Sequence, residues 1–440
     1  MTVSILFGLT GLAIQAAPVF DPETATQAYL ATLDGAARAR SDAYFEGSYW
    51  LILVNLAVGL AIAALLLQSG FSRSLRDRLH GLLKQRALTT AAYAAVYIAV
   101  TALLAFPMTV YEGFFREHAY NLSTMSFGDW LGETGTQLII NIVMGAIFLT
   151  IFYAVVRAAR RSWWIWASGV SVMFLAAAIF ITPVYIAPLF NDYTPMPAGE
   201  LRDDILALAH ANGIPADQVY VFDVSRQSNR ITANVSGLFG TTRISLSDTL
   251  IENTDPDEVL AVMGHEMGHY ALNHLWKMFT VFALVLAVGF AVTNALFNWA
   301  NRRFGRRWGI ENVGDVAGLP LLMACLSVYF FVATPVMNTV VRTNEAEADI
   351  FGLNAARAPD GFATAALRLS SYRKIEPGAL EEFVFFDHPS GHTRIFTAMR
   401  WKAGQLESGA ADVSPALRLD RAEAIAADLE AANPATDEEG

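Results

Sequence analysis

The chain has 440 residues, 54% hydrophobic and 16% charged, far below the roughly one quarter charged that is usual for soluble domains, so a purely water-soluble globule is excluded. Its formal charge of −11 argues against nucleic acid as a partner. The single cysteine, Cys325, lies in an apolar run and excludes disulfides within a monomer and cysteine-rich metal sites.

An apolar run opens the chain at 3–17. It is short, lacks a positive leader and ends in AIQAAP, so residues 1–17 read as a signal peptide or a short anchor. Four runs near the roughly 20 apolar residues needed to cross a bilayer follow at 49–68, 88–111, 138–156 and 163–190, and define an N-terminal membrane region over 18–190. The chain then turns polar. LRDDILALAHANG has helical periodicity, while VYVFDVS and TRISLSDTL alternate as half-buried strands do. Two further spans, 278–300 and 316–341, interrupt a second domain that runs from 191 to 403. Residues 404–440 form an acidic tail, rich in Ala, Asp and Glu, with room for one amphipathic helix and a frayed end.

The chemistry concentrates in TDPDEVLAVMGHEMGHYALNH. Asp255 suits an N-cap, Pro256 the first helical position, and Glu258 closes a capping box, so a helix starts near 256. His265 and His269 then lie one turn apart on one face, the arrangement by which two imidazoles grip one zinc ion. Glu266, next to His265, is positioned to act as general base for peptide hydrolysis. A short HExxH match also occurs by chance in a polar helix end beside a span, but the helical context and the small neighbour Gly264 favour the metal.

A catalytic zinc wants three protein ligands and one open position. A further histidine ten residues after the first is absent, because position 275 is leucine. His274 follows His269 by five residues, about 140° round a continuing helix, and reads as a supporting or helix-end residue. A distant acid is the remaining source. RTNEAEADIFG, after the last span, has a helical pattern in which Glu345 and Asp349 share a face and Glu347 points away. Glu345 is the candidate third ligand, and Asp349 is suited to orient a ligating histidine; a solvated acidic helix start is the alternative. Two spans separate His269 from Glu345, an even number, so the chain returns to the side it left.

In these blocks the sequence resembles the type I CAAX prenyl protease family, multi-spanning zinc metalloproteases of the gluzincin type. HEMGHYALNHLWK is similar to the family's HExGHxxxNHxxK block, RTNEAEAD to its RxxExxAD block and FDHPSGHTRI to its HPxxxxR block. APLFNDYTPMPAGELR resembles the segment joining the early spans to the protease domain. The resemblance implies a mainly α fold, a multi-spanning helical chamber with an α+β gluzincin protease domain that has a small sheet and the HExxH helix. It implies His265, His269 and Glu345 as ligands of one Zn2+ per chain, Glu266 as base, and His388 as stabiliser of the oxyanion with Arg394 nearby. The family carries an Asn-Ala-aromatic stretch before the TRI-like strand. Here the register reads Thr232-Ala233-Asn234, which displaces the asparagine by two and leaves Asn234 as the candidate substrate contact on an edge strand.

Arginine and lysine crowd the loops 69–87, 157–162 and 301–308, each separated from the next by an even number of spans. The positive-inside rule puts that side in the cytoplasm and the protease domain in the periplasm of an inner membrane, whereas the family resemblance implies a cytosolic protease domain. The compact loops point to a bacterial member. The expected partners are a peptide or membrane-protein substrate and the lipid bilayer. Membrane-protein quality control is the expected role, and a metal transporter or an inactive scaffold the alternative. A transporter should carry ionisable residues within its spans, and these are nearly devoid of them.

Overall fold

The computed structural model describes residues 20–33, 35–237 and 242–432. The opening segment 1–17 therefore lies outside the described residues. Helices dominate, with 76% of the structure helical. Among the described residues, six are long and apolar enough to cross a membrane: Ala36–Gln68, Arg86–Ala119, Phe127–Ala158, Trp163–Leu189, His274–Trp308 and Val316–Ala356. Each coincides with one apolar run of the sequence and most extend past it, because polar residues continue the helix beyond the hydrocarbon. The first has 33 residues, about 50 Å of helix against a hydrocarbon core of about 30 Å. In five of the six, at most 17% of the most apolar window is buried by protein, so those side chains require lipid; the sixth, 44% buried, is the central helix of the bundle.

The three arginine-rich segments meet at one end of the bundle, where Phe71–Leu83 is itself a helix and 301–308 ends the fifth spanning helix. Arg76 pairs with Asp315, and Arg157 Nε donates to the Gly314 carbonyl at 3.0 Å. Beneath them Tyr93, Phe152, Trp163, Phe290 and Phe297 form a buried aromatic core. The fifth spanning helix starts at His274 and runs 35 residues to Trp308, so about 50 Å separates this end from the histidines.

At the other end a four-stranded sheet has the order β1-β2-β4-β3, with β1 Tyr193–Pro195, β2 Val219–Phe222, β3 Ala233–Ser236 and β4 Arg243–Ser247. β2 and β4, the two segments whose alternation predicts strands, pair in parallel; the outer pairs are antiparallel. Ile244 and Leu246 are buried against Ile205 and Ala209 of helix Glu200–Ala211 and against Met263 and Met267 of helix Pro256–Ala271. A third core gathers Tyr29, Leu30, Phe362, Ile395, Met399 and Ile425. Ile425 belongs to the tail's amphipathic helix, Leu419–Ala431, which docks onto the domain: Arg421 pairs with the fully buried Glu258 at 2.9 Å, and Arg418 with Asp255 at 2.7 Å.

Candidate metal centre

Helix Pro256–Ala271 begins as its sequence dictates. The Asp255 carboxylate accepts from Glu258 N at 3.0 Å, and the Glu258 carboxylate from Asp255 N at 3.2 Å. It ends earlier than expected. Leu272 caps it, Asn273 adopts a left-handed conformation at φ 57°, and a new helix starts at His274. His274 is thus not on the helix of His269, and the 140° separation of a continuous helix does not apply. The break, at a residue type that tolerates the left-handed region, brings His274 Nδ1 to 2.9 Å from His269 Nδ1.

His265, His269 and Glu345 converge, with ligand atoms all within 4.8 Å of one another. The two Nε2 atoms are 3.2 Å apart, and they lie 3.3 and 3.4 Å from the Glu345 oxygens. A tetrahedral ion with bonds of about 2.1 Å has edges of about 3.4 Å, close to the separation of the two imidazoles and to that of each imidazole from its nearer Glu345 oxygen. Contact between backbones makes this possible. A Cβ on Gly264 would lie 3.0 Å from the Gly352 carbonyl oxygen, and one on Gly268 3.1 Å from Ala348 Cα, so the histidine helix rests directly on the central spanning helix that carries Glu345.

The second ring nitrogens are engaged too. His265 Nδ1 lies 2.8 Å from Asp349 Oδ1, an ion-pair contact short of straight hydrogen-bond geometry. If His269 ligates through Nε2, its Nδ1–H donates to His274 Nδ1, and His274 Nε2–H donates to Glu347 Oε2 at 3.1 Å. Glu347, expected to point away, does leave the metal cluster, but it terminates this chain and also meets Lys277. Arg394 is buried between the carboxylates, 3.1 Å from Glu345 and 3.2 Å from Asp349. His388 reaches Glu345 Oε2 with Nε2 at 3.1 Å and Asp387 with Nδ1 at 2.8 Å.

The electrostatics call for a cation. Burial lowers the affinity of His265 for a proton, yet its contacts with Asp349 and Glu345 outweigh that and push the ring up to about 9. Burial and the charge of His265 push His269 down to about 4. One positive charge among the carboxylates is thus favoured even when only a proton supplies it. Burial pushes Glu266 up to about 7; the neighbouring Glu345 adds to this, and His265 and Arg394 oppose it. Burial, reinforced by Arg373, holds His388 below the ordinary histidine range, although Asp387 and Glu345 pull the other way.

Two cavities flank the cluster. A compact one of about 240 Å³ contains His265, Glu266, Glu345 and His388 against Val262, Phe362 and Leu369. A larger one of about 530 Å³ runs from His269 and Glu345 toward the spans, past Phe180, Trp276, Met278 and Val341. Strand β3 lies at the sheet edge between them. The Thr232 carbonyl accepts from Ser247 N at 2.9 Å, and Asn234 pairs with Ser245. By antiparallel alternation Ala233 and Val235 therefore direct their backbone groups outward. Asn234 itself lines neither cavity; Thr232 and Ala233 line the compact one, Val235 and Ser236 the larger. The free backbone edge belongs to the neighbours of Asn234, because pairing turns the Asn234 backbone toward β4. Sequence reasoning also missed Tyr372 and Arg373, which border the compact cavity from a bend no spacing rule marks.

Comparison with known proteins finds two family matches in the chain. The profile described as Peptidase family M48 matches residues 195–402, and that described as the CAAX prenyl protease N-terminal region of five membrane helices matches residues 23–192. An uncharacterized metalloprotease of Bacillus subtilis is 30% identical over 361 residues, which cover 81% of this chain and 84% of that protein. The CAAX prenyl protease 1 homolog of Dictyostelium discoideum is 29% identical over 59% of this chain and 62% of its own length. CAAX prenyl protease 1 of Saccharomyces cerevisiae is 32% identical over 41% of this chain and 40% of its own. The fold is similar to the crystal structure of S. mikatae Ste24p, with a TM-score of 0.70 at 20% identity over 86% of this chain and 96% of that one.

Proposed function

Because the chain belongs to peptidase family M48, as an integral-membrane metalloprotease built like the CAAX prenyl proteases, we propose that His265, His269 and Glu345 hold one zinc ion and that Glu266 is the base for peptide-bond hydrolysis. The observation that carries this reading is the convergence of two imidazoles and one carboxylate, with His265 Nε2 and His269 Nε2 3.2 Å apart and each within 3.3 to 3.4 Å of one of the two Glu345 oxygens. When bound, zinc supplies Lewis acidity and makes water a nucleophile near neutral pH. Glu266, half-buried in the compact cavity, accepts the proton of the attacking water and delivers it to the leaving nitrogen. His388 directs Nε2 into the cluster and, with Nδ1–H held by Asp387, donates to the oxyanion from Nε2 in its doubly protonated form. Arg394 is a positioning residue that fixes Glu345 and Asp349 through its two ion pairs. The outward backbone of Ala233 and Val235 pairs with the substrate strand.

The substrate in this reading is a peptide or membrane protein held at the bilayer, with an apolar part in the cavity that opens toward the spans. Membrane-protein quality control is the role we favour. That cavity also has room for a prenyl group, the substrate feature named for several relatives. The positive-inside rule assigns the arginine end to the cytoplasm, hence the protease domain to the periplasmic side of an inner membrane. A reporter fused after Ala403 and active only in the cytoplasm would reverse that assignment. An inactive scaffold accounts for neither the retained Glu266 nor the complete donor set. A transporter would carry its metal ligands within the apolar spans.

Zinc stoichiometry and cleavage of a casein-type substrate, measured on wild type and Glu266→Gln, test the reading. We expect one zinc per chain in both and cleavage reduced by about 10²–10⁴-fold in the variant. Unchanged cleavage removes Glu266 as the base, and absence of zinc from wild type removes the metal centre.

A further inference from the structure

The compact cavity contains one cation that the hydrolytic reading leaves without a role. Arg373 borders it together with the apolar walls made by Val262, Phe362, Ala366 and Leu369, and it also borders the small adjoining recess at His388 and Pro389. Among the described residues, its guanidinium has no hydrogen bond and no ion pair; its Cζ lies 5.8 Å from the centre of the Tyr372 ring, and its charge is felt at His388 and Asp387 without direct contact. The other basic groups nearby are committed. Arg394 is held by Glu345 and Asp349, and Lys374 by Glu46 at 2.6 Å and Glu381 at 3.0 Å. Asp387 turns Oδ1 to His388 Nδ1 at 2.8 Å and makes no ion pair with Arg373, although the Arg373 charge helps to hold its carboxyl below the ordinary range. The backbone of Arg373 is anchored, its carbonyl accepting from Ser41 Oγ at 3.1 Å.

A half-buried guanidinium at the border of a partly apolar cavity, with no acceptor in hydrogen-bond or ion-pair contact, is costly unless an anion arrives to complete it. Its planar fork of donors matches a carboxylate in two-point geometry. The geometry also says which part of the substrate is read. The larger cavity leads to the spans, so a chain lying across the metal donors has its membrane-facing part there and its other part in the compact cavity. We propose that Arg373 is a specificity determinant that binds a carboxylate on the part of the substrate lying in the compact cavity. The inference rests on the hydrolytic reading above. The carboxylate is either the chain terminus or an Asp or Glu side chain, and the two sources separate experimentally.

The test uses the full zinc-loaded chain and three quenched peptides of one sequence: a free terminal carboxylate, the terminal amide, and the amide with glutamate at the last position. For wild type we expect at least about tenfold lower KM for a carboxylate-bearing peptide than for the neutral amide, the range of a hydrogen bond to a charged group. Preference for the free acid alone identifies the chain terminus, and preference for the glutamyl amide identifies an acidic side chain. Arg373→Met should lose the discrimination, and Arg373→Lys should restore part of it. Equal KM for all three peptides on wild type, or discrimination retained in a folded Arg373→Met protein, overturns the proposal. The wild-type comparison stands even if a variant misfolds. Binding of the carboxylate and amide product peptides to Glu266→Gln, read by fluorescence anisotropy, separates the two readings. If no peptide is cleaved but the acid still binds at least about tenfold tighter, the hydrolytic reading fails and the Arg373 site survives. Cleavage without any such difference has the opposite meaning.

Discussion

Gly352 and His265 touch through their backbones: a Cβ placed on Gly352 would lie 2.7 Å from the His265 amide nitrogen. The central spanning helix and the histidine helix therefore approach as closely as main chains allow, and this contact sets the distance from Glu345 to the two imidazoles. Gly352→Ala must push the helices apart. We expect a loss of about 1–3 kcal/mol, the usual range for overpacking, together with reduced zinc occupancy. Thermal unfolding and metal analysis on one preparation check this. Wild-type melting and full zinc in the variant would show that the seam does not control the site.

The chain from His269 through His274 to Glu347 predicts an effect on metal affinity from residues that do not ligate. His274→Ala removes the acceptor for His269 Nδ1–H and frees the ring to turn. Loss of such a support weakens metal binding by about 10–100-fold. Asp349→Asn should do the same through His265. Competition with a chromogenic chelator measures both, and unchanged affinity in either variant contradicts the corresponding support.

The docked tail helix makes the start of the histidine helix sensitive to residues more than 150 positions away. Arg421→Met leaves the fully buried Glu258 without its partner. Breaking one side of such a pair costs about 3 kcal/mol or more. Adding Glu258→Gln, which keeps the capping geometry and removes the charge, should return part of that stability. Chemical denaturation of the two single variants and the double variant tests this, and strictly additive losses would disprove the coupling.

In the proposed metal centre, zinc and protons would compete for His265. Its raised value, about 9, means that the metal-free ring is protonated at neutral pH and must release that proton to ligate, whereas His269, near 4, is already neutral. Zinc affinity should therefore rise with pH up to about 9 and flatten above it, with about one proton released per ion at pH 7. Calorimetry in buffers of different ionisation enthalpy counts the proton, and a buffer-independent enthalpy at pH 7 rejects the competition. Chelation should abolish cleavage, and added zinc should restore it.

Much of this protein is written locally. The six membrane-capable helices follow from apolar runs whose length matches a bilayer, and the start of the histidine helix follows from Asp255, Pro256 and Glu258, which satisfy each other within one turn. The pairing of His265 with His269, and of Glu345 with Asp349, follows from helical periodicity alone. These features depend on neighbours within four residues or on the medium, so composition and spacing suffice to read them. What tertiary structure alone decided depends on contacts between distant segments. The left-handed turn at Asn273 aims His274 at His269, Glu347 closes that chain, strand pairing gives the free edge to Ala233 and Val235 rather than Asn234, and Arg373 faces a cavity walled by other helices. The physical reason is that a side chain's partner across the fold is set by packing, and packing distances are not encoded in the order of residues along one helix or strand.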